Sequence, residues 1–445
     1  MNYLLFALPL ILPTYLIRFQ IGPFPTTLLE ILIWIFLLAW IAAQRTQGLK
    51  NAWKQIKPWR YAIFAWLIVT ALAVIISPDK IGALGHWRAY MLEPVLVFFV
   101  LADLMRETKS EWRKANGEYL LYGIATITIL LGAFAIFQYA TGIAIPHPWD
   151  AIIGRRATGF FDFPNALSLF LVPFGTLCFG LLLNCHLERS SVAGRSRKIW
   201  FVQKKPDPST PYNSAQDDKG GSSRTRGDMY LWLFLAATVF AVVGVVLAKS
   251  MGGVLALGIG MMTVLLMNVK TRKIGIILTL IGALGAGIFA LSVLHTELNP
   301  VNIGDSLINS KKWSSMVRVI IWSESLNLAI NNPILGTGLR SYPIAILPFH
   351  KATWMEVFQQ PHNLELMLWI ETGLPGLIVF AWLCVIWIRM AKKKQNSWIW
   401  IAPLIALLVH GFVDVPYFKN DLAMQFWILA ALASFPTLSF RGKSE

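Results

Sequence analysis

The longest polar interruption in this apolar chain, Leu294–Gly376, contains two residues whose types could do chemistry. Arg318 lies in a run whose apolar residues follow helical spacing. His362 begins a later apolar run, where an imidazole can act as a general base near neutral pH. Long connecting segments without a function are uncommon, which favours an active site in this segment. The simpler alternatives are a solvated arginine and a helix-capping histidine.

Two further pairs of ionisable residues lie near the ends of apolar runs. Arg155 and Arg156 are adjacent, which suits phosphate binding, although they could also flank a helix and extend toward the membrane surface. His410 and Asp414 are four residues apart, so their side chains could touch on a helix, and a structural hydrogen bond is the simpler explanation. Motifs of nucleotide- or metal-dependent enzymes do not occur, so we expect no metal and no other cofactor.

The composition indicates a membrane protein. Of 445 residues, 56% are hydrophobic and only 14% are charged, whereas soluble domains carry about 25% charged residues. Many apolar runs reach the roughly 20 residues that are needed to cross a bilayer. The net charge of +16 falls in the loops between these runs, which indicates membrane orientation rather than nucleic-acid binding. We therefore predict an all-α, polytopic membrane protein that contacts lipids and no nucleic acid.

Charge asymmetry predicts how the chain crosses the membrane. With a cytoplasmic N-terminus, the predicted inside segments hold 27 of the 39 Lys and Arg residues, so the positive-inside rule favours this orientation. Leu294–Gly376 then faces the outside. The twelve candidate spans are roughly 3–21, 24–43, 60–77, 89–105, 119–140, 160–184, 229–248, 251–268, 274–294, 363–388, 398–412 and 420–437.

The chain divides at about residue 150. Residues 1–150 are predicted to form N-terminal transmembrane helices, and residues 151–440 a second region with two long connections. In that region, 188–228 is rich in Ser, Pro, Gly and charged residues, which predicts a flexible cytoplasmic insertion. Residues 294–362 form the predicted large external loop.

Five sequence blocks carry a family resemblance through their types and their order. They are RATGFFDFPNALS (Arg156–Ser168), SMGGVLALGIGMM (Ser250–Met262), RVIIWSESLNLAINNPILGTGLRSYP (Arg318–Pro343), PHNLELMLWIETGLPGLIVF (Pro361–Phe380) and HGFVDVPYFKNDLAMQFW (His410–Trp427). Together they resemble the O-antigen ligase family and the related O-antigen polymerases that share its core domain. The resemblance implies that 151–440 is this core domain, in an all-α bundle like that of lipid-dependent glycosyltransferases.

The resemblance also implies a reaction. A multi-pass enzyme of the plasma membrane, with its active site facing outside, would transfer a glycan from undecaprenyl pyrophosphate to an acceptor hydroxyl. The acceptor would be a lipid A core, a protein or another glycan, and no metal would take part. Ligase and polymerase both remain open. A transporter of lipid-linked glycans is a competing hypothesis, although the large outside loop favours surface chemistry.

Residue roles follow from the same resemblance. Arg318 would bind the pyrophosphate, and His362 would be the base or would orient the acceptor. Arg156 matches a basic family position with a phosphate role, and Arg155 is included beside it. His410 and Asp414 remain further candidates.

One position departs from the family pattern. Many members carry arginine directly after the serine of the second block, where this chain has Ser250-Met251. Methionine cannot bind phosphate. Lys249 could supply the charge from one residue earlier, without the bidentate fork of arginine.

The predicted orientation can be tested with reporter fusions. A reporter inserted near Ser306 should behave as external, and one near Ser214 as cytoplasmic, because the Lys and Arg bias places these segments on opposite sides. Accessibility to a membrane-impermeant label measures both. Opposite signals would contradict the orientation and the location of the site.

Overall fold

The structure is a computed structural model that describes residues 2–435 apart from 23, 106–115, 203–216, 282–309 and 353. Its described part is predominantly helical, with a single two-stranded sheet, which confirms the all-α prediction. The helices are α1 (Asn2–Ile11), α2 (Leu28–Gln55), α3 (Arg60–Ile76), α4 (Lys80–His86), α5 (Glu93–Leu104), α6 (Asn116–Thr141), α7 (Pro164–Val202), α8 (Asp217–Leu247), α9 (Met251–Met267), α10 (Ser310–Asn331), α11 (Leu364–Lys392), α12 (Trp398–Gly411) and α13 (Asn420–Ser434).

Several helices are long and apolar enough to cross a membrane. Among the described residues four satisfy both criteria, namely α6, residues 164–187 of α7, residues 228–247 of α8, and α11. The two arms of α2 would make a fifth if they form one bent span. Shorter apolar helices occur at Asn2–Leu16, α3, α9 and α12. The protein is thus a multi-pass membrane protein, while the count of twelve spans stays a prediction.

A β-hairpin interrupts the first two predicted spans. Strand β1 (Arg18–Ile21) pairs antiparallel with β2 (Phe24–Thr27), so the runs predicted as helical over 3–21 and 24–43 are wrong at these residues. Each strand is only four residues long, so hydropathy averaged over about 19 residues does not separate the hairpin from the apolar helices on either side. Helix α1 ends at Ile11, and α2 begins only after the capping residue Thr27.

The predicted insertion is helical at both ends. Helix α7 continues to Val202 and α8 begins at Asp217, while residues 203–216 lie outside the described residues. Part of the predicted external loop, 294–309, also lies outside them. The remainder contains α10 and the turns that precede α11.

The last helix, α13, is the centre of the bundle. Every residue from Asn420 to Ala433 is buried, as expected for a helix that other helices surround. Its Trp427 packs against Trp59 and Phe98 with ring centroids 6.0 and 5.1 Å apart. Since such aromatic pairs add to the effect of area burial, α13 fixes the N-terminal helices to the C-terminal half.

Helix α11 is broken one-third of the way along. Gly373 has φ 68° and ψ 179° inside the helix, and Pro375 follows it. The break lets the preceding loop dock, since Leu374 N donates to Pro333 O at 3.0 Å and Thr337 N to Ile370 O at 2.6 Å. The loop that leaves α10 is therefore held on the first arm of α11.

We expect Gly373→Ala to destabilise the protein by about 1–3 kcal/mol, the usual cost of a residue held in an unfavourable backbone region. A Cβ there would also lie 2.6 Å from the carbonyl carbon of Ile334. Thermal unfolding in detergent measures the loss. The matched control is Gly258→Ala in α9, where a Cβ meets no atom within 4 Å and helix propensity improves. Equal stability of the two variants would contradict the prediction.

Candidate active site

The site lies where the end of α12 meets the beginning of α11. Asn363 caps α11 by accepting a hydrogen bond from Leu366 N at 2.8 Å, and its Nδ2 donates to Phe412 O at 3.1 Å. Close approach is possible because residue 411 is glycine, whose added Cβ would lie 3.1 Å from Leu364 Cβ. These contacts bring the residues on either side of the junction, His362 and Asp414, together.

His362 and Asp414 form a side-chain pair across this junction. His362 Nδ1 lies 3.4 Å from Asp414 Oδ1, and the histidine side chain is 23% exposed against 4% for the aspartate. Burial alone raises the pKa of the Asp414 carboxyl, but the hydrogen bond and charges of His362, the charge of His410 and the Val415 N–H together lower the pKa to about 2. A carboxylate that is ionised at neutral pH accepts a hydrogen bond from Nδ1–H, which leaves the lone pair on Nε2 as the basic site of the ring.

The backbone of His362 adopts an uncommon conformation. Its φ is 50°, in the left-handed region that residues other than glycine rarely occupy. Trp322 Nε1 donates to His362 O at 3.3 Å, and the Phe358 ring lies 5.6 Å from the imidazole in an edge-to-face contact. The surrounding residues thus hold the imidazole in place, at a cost of order 1–3 kcal/mol for such a backbone.

Arg156 is held by uncharged groups. Its Nε donates to Ala248 O at 2.9 Å and its Nη2 to Asn165 Oδ1 at 3.1 Å. Its guanidinium lies over the Trp149 ring at 4.9 Å. Burial, followed by the positive charge of Arg318, lowers the pKa of Arg156. Two neighbouring cations in a half-buried environment favour an anion of more than one charge.

Arg318 interacts electrostatically both with Arg156 and with the histidine part of the site. Its charge acts on both Arg156 and His410, and it lies one helical turn before Trp322 on α10. Because Trp322 bonds to His362 O, one helix positions both the cation and the imidazole. The structure therefore brings together five of the predicted site residues: Arg156, Arg318, His362, His410 and Asp414.

His410 is 1% exposed, and its Nδ1 has no hydrogen-bond partner in the described part of the chain. Its ring faces the first turn of α9, where a Cβ on Gly252 would lie 3.5 Å from His410 Cδ2. The expected side-chain contact with Asp414 as a helical neighbour does not occur as a hydrogen bond. Helix α12 ends at Gly411, so Asp414 lies past the helix and its carboxylate turns to His362.

Arg155 and Lys249 gather around a different residue. Arg155 Nη1 donates to Tyr139 O at 2.8 Å, and Lys249 Nζ lies 5.5 Å from the centre of the Tyr139 ring. Met251 is 75% exposed at the first position of α9. A pyrophosphate role for Arg155 and Lys249 stays a prediction.

The supporting roles of four residues were not predicted from the sequence: Trp149, Asn165, Trp322 and Asn363. Asn165 lay inside a quoted block, and Asn363 directly follows His362 as a capping residue before an apolar run. The spacing of Arg318 and Trp322, four residues apart, also placed them on one helical face. Nothing in the sequence connects Trp149 to Arg156. No group of three potential metal ligands occurs among the described residues.

A second ion pair fixes the segment that precedes His362. His350 Nδ1 lies 3.0 Å from Glu324 Oε2 on α10, and His350 Nε2 lies 3.0 Å from Met355 O. Both partners are acceptors, so both nitrogens must carry protons and the ring is an imidazolium. Glu324, then the Met355 carbonyl, raises the pKa of His350. Burial raises the pKa of Glu324, but its hydrogen bonds from His350, Lys351 N and Ala352 N outweigh it and lower that pKa.

This pair predicts a pH dependence of stability. A raised pKa means that His350 stabilises the fold below its ordinary pKa of about 6.5 and ceases to do so as pH rises through the raised value. The contribution of Glu324 is lost only in acid, below about 4.3. The thermal midpoint should therefore fall from pH 6 to pH 9 by more in the wild type than in His350→Gln. Parallel pH profiles would contradict the prediction.

Comparisons with known proteins match the central part of the chain. Residues 236–381 match the family model described as O-Antigen ligase. Over 117 residues the chain is 25% identical to a Rickettsia conorii protein to which polysaccharide ligase activity is provisionally assigned. That match covers 25% of this chain and 28% of the relative. The resemblance found in the sequence is thus confirmed.

Proposed function

We propose that this protein, which carries an O-antigen ligase region at residues 236–381, transfers a glycan from undecaprenyl pyrophosphate to an acceptor hydroxyl. The reaction would occur at the outer face of the plasma membrane. The observation that carries the proposal is the convergence of the His362–Asp414 pair with Arg156 and Arg318. Arg318 and His362 lie within the matched region, and Arg156 and Asp414 come from outside it.

The reaction requires a base and a cationic site, and the site residues fit both. The acceptor oxygen attacks the anomeric carbon of the donor while the bond from that carbon to the pyrophosphate oxygen breaks. The acceptor proton passes to Nε2 of His362, while Asp414 accepts a hydrogen bond from Nδ1–H and so orients the ring in the tautomer whose Nε2 carries the free lone pair. The pyrophosphate leaves with the bonding electron pair, so its negative charge increases in the transition state.

Arg156 and Arg318 would stabilise the departing pyrophosphate. Their charges repel each other in the free protein, and an anion between them would relieve that repulsion. Fixed cations aimed at a developing charge need no reorganisation during the reaction. Arg156 is already oriented by Ala248 O and Asn165, which is the preorganisation that such stabilisation needs.

The first turn of α9 adds a further electrostatic contribution. Ser250 caps this helix through its bond from Gly253 N at 3.3 Å, and Gly252 approaches His410 closely. Backbone N–H groups at a helix N-terminus favour anions. This turn would partly offset the absence of the arginine that many family members carry in place of Met251.

Replacing the site residues should remove activity and leave the fold intact. We expect Arg318→Ala to lose about 2.7–4 kcal/mol of transition-state stabilisation, by analogy with deleting one oxyanion donor. That is roughly a hundredfold to a thousandfold in rate. Arg318→Lys should rescue it partly, because a point charge lacks the bidentate fork. His362→Gln should lower the transfer rate about 10²–10⁴-fold, since an amide is no base. Asp414→Asn should lower the transfer rate by a smaller factor.

Mass spectrometry of glycoconjugates from cells complemented with each variant measures the transfer. Arg272→Ala, at the opposite end of α9, is the control and should transfer normally. Full activity of folded Arg318→Ala and His362→Ala would show that the proposed site is wrong. In proteoliposomes a transferase forms a new covalent product without moving its donor between leaflets, whereas a transporter moves the donor and forms no product.

A further inference from the structure

A cavity lined by charged, polar and aromatic side chains lies at the β-hairpin and the beginning of α13. It has a volume of about 440 Å³ and is enclosed by the β-hairpin, α4, the residues before α5 and the beginning of α13. Asn420 in its wall is six residues after Asp414, so the cavity and the His362–Asp414 pair share one end of the bundle. The Tyr15 ring in its wall stacks on Phe161 at 6.4 Å, inside the segment that follows Arg156.

One buried carboxylate assembles the cavity walls. Glu30 is 5% exposed and accepts hydrogen bonds from Thr26 Oγ1 on the hairpin at 2.6 Å and from Asn420 Nδ2 on α13 at 3.2 Å. It also forms an ion pair with Arg88. Three segments distant in sequence thus meet at one group, and the cavity is a built feature of the fold.

The cavity offers cations that the protein does not neutralise. Within the described residues the Arg18 side chain forms no ion pair and no hydrogen bond, and it is exposed. Arg340 is paired with Asp79 at 3.1 Å, yet its side chain remains 49% exposed. The missing Cβ of Gly82 makes room for the Arg340 guanidinium. Two arginines in the lining of one cavity favour an anionic group such as a carboxylate or a phosphate.

The cavity also offers a hydrogen-bond acceptor and aromatic surfaces. Asn420 is 4% exposed, and its Oδ1 has no hydrogen-bond partner in the described part of the chain, although its Nδ2 is bonded to Thr27 and Glu30. A buried unpaired oxygen is costly unless a ligand donates to it. Phe19 is 37% exposed at the cavity wall. A phosphate monoester dianion has no proton to donate to Asn420, whereas a sugar hydroxyl has one, and a sugar ring can also lie against an aromatic face.

From these groups together we infer that this cavity binds an anionic saccharide, as the acceptor glycan of the reaction. Arg18 and Arg340 hold its charged group, and Asn420 Oδ1 accepts one of its hydroxyl protons. The assignment of the saccharide as acceptor rests on the proposed function, while the binding itself does not. The donor pyrophosphate has its own cations in Arg156 and Arg318, which leaves this separate cavity for the second substrate.

Binding is tested on the full chain in nanodiscs of neutral lipid, without any donor. The probes are a glucuronic acid–N-acetylglucosamine disaccharide, the neutral disaccharide of N-acetylglucosamine, and inorganic phosphate. The acidic disaccharide should bind most tightly, and Arg18→Ala should weaken it about tenfold while leaving the neutral sugar unchanged. Arg18→Lys should retain part of the affinity, and Arg272→Ala all of it. Arg18 is exposed on a strand, so its replacement leaves the core intact.

Three outcomes would overturn the inference. These are equal binding of the acidic and neutral sugars, unchanged affinity in both Arg18→Ala and Arg340→Gln, or binding only of phosphatidylglycerol added to the nanodiscs, which would indicate a lipid site. In a transfer assay, Arg18→Ala should raise KM for the acceptor about tenfold with kcat and the donor KM unchanged. If the protein binds the acidic disaccharide selectively but transfers no glycan, the proposed function and the assignment of the saccharide as acceptor are refuted. The inference that the cavity binds an anionic saccharide would then still stand.

Discussion

The junction between the end of α12 and the beginning of α11 is the constraint on which the candidate site depends. Asn363 serves two helices at once, since it caps α11 through Leu366 N and donates to the Phe412 carbonyl after α12. The glycine at 411 allows this approach. A shift of either helix would separate the histidine from its carboxylate, because His362 and Asp414 stand on opposite sides of the junction.

The second constraint on the candidate site is the electrostatic environment of Arg156 and Arg318. Arg156 is surrounded by a carbonyl, an amide and an indole face, and the one charge found to act on it is that of Arg318. The mutual repulsion of these two cations costs free energy in the empty protein. The same arrangement becomes favourable once a dianion enters, and this difference is what a pyrophosphate site needs. The long segment before His362 contributes by rigidity, through the His350–Glu324 ion pair on the helix that carries Arg318.

Much of the fold class and of the candidate site could be predicted from residue types and hydropathy. Arg318 and His362 stood out because they interrupt the apolar pattern, and the order of the blocks indicated the resemblance that the family model also finds over residues 236–381. Local patterns failed where the partner is distant in sequence. Asp414 was paired with His410 by helical spacing, but its hydrogen-bond partner is His362, 52 residues away. The hairpin was missed because its four-residue strands are much shorter than the window of about 19 residues over which hydropathy is averaged to find a transmembrane span. The cavity residues run from Tyr15 to Asn420, so no sequence window contains them.

The most direct test of the account is a cryo-electron-microscopy structure of the protein with an undecaprenyl pyrophosphate-linked glycan bound. The account predicts density for the pyrophosphate between the guanidinium groups of Arg156 and Arg318. It also predicts that the anomeric carbon lies on the side of His362, close enough for an acceptor oxygen to stand between that carbon and Nε2. Pyrophosphate density at Arg155 and Lys249 near Tyr139, or at the other end of the bundle, would contradict it.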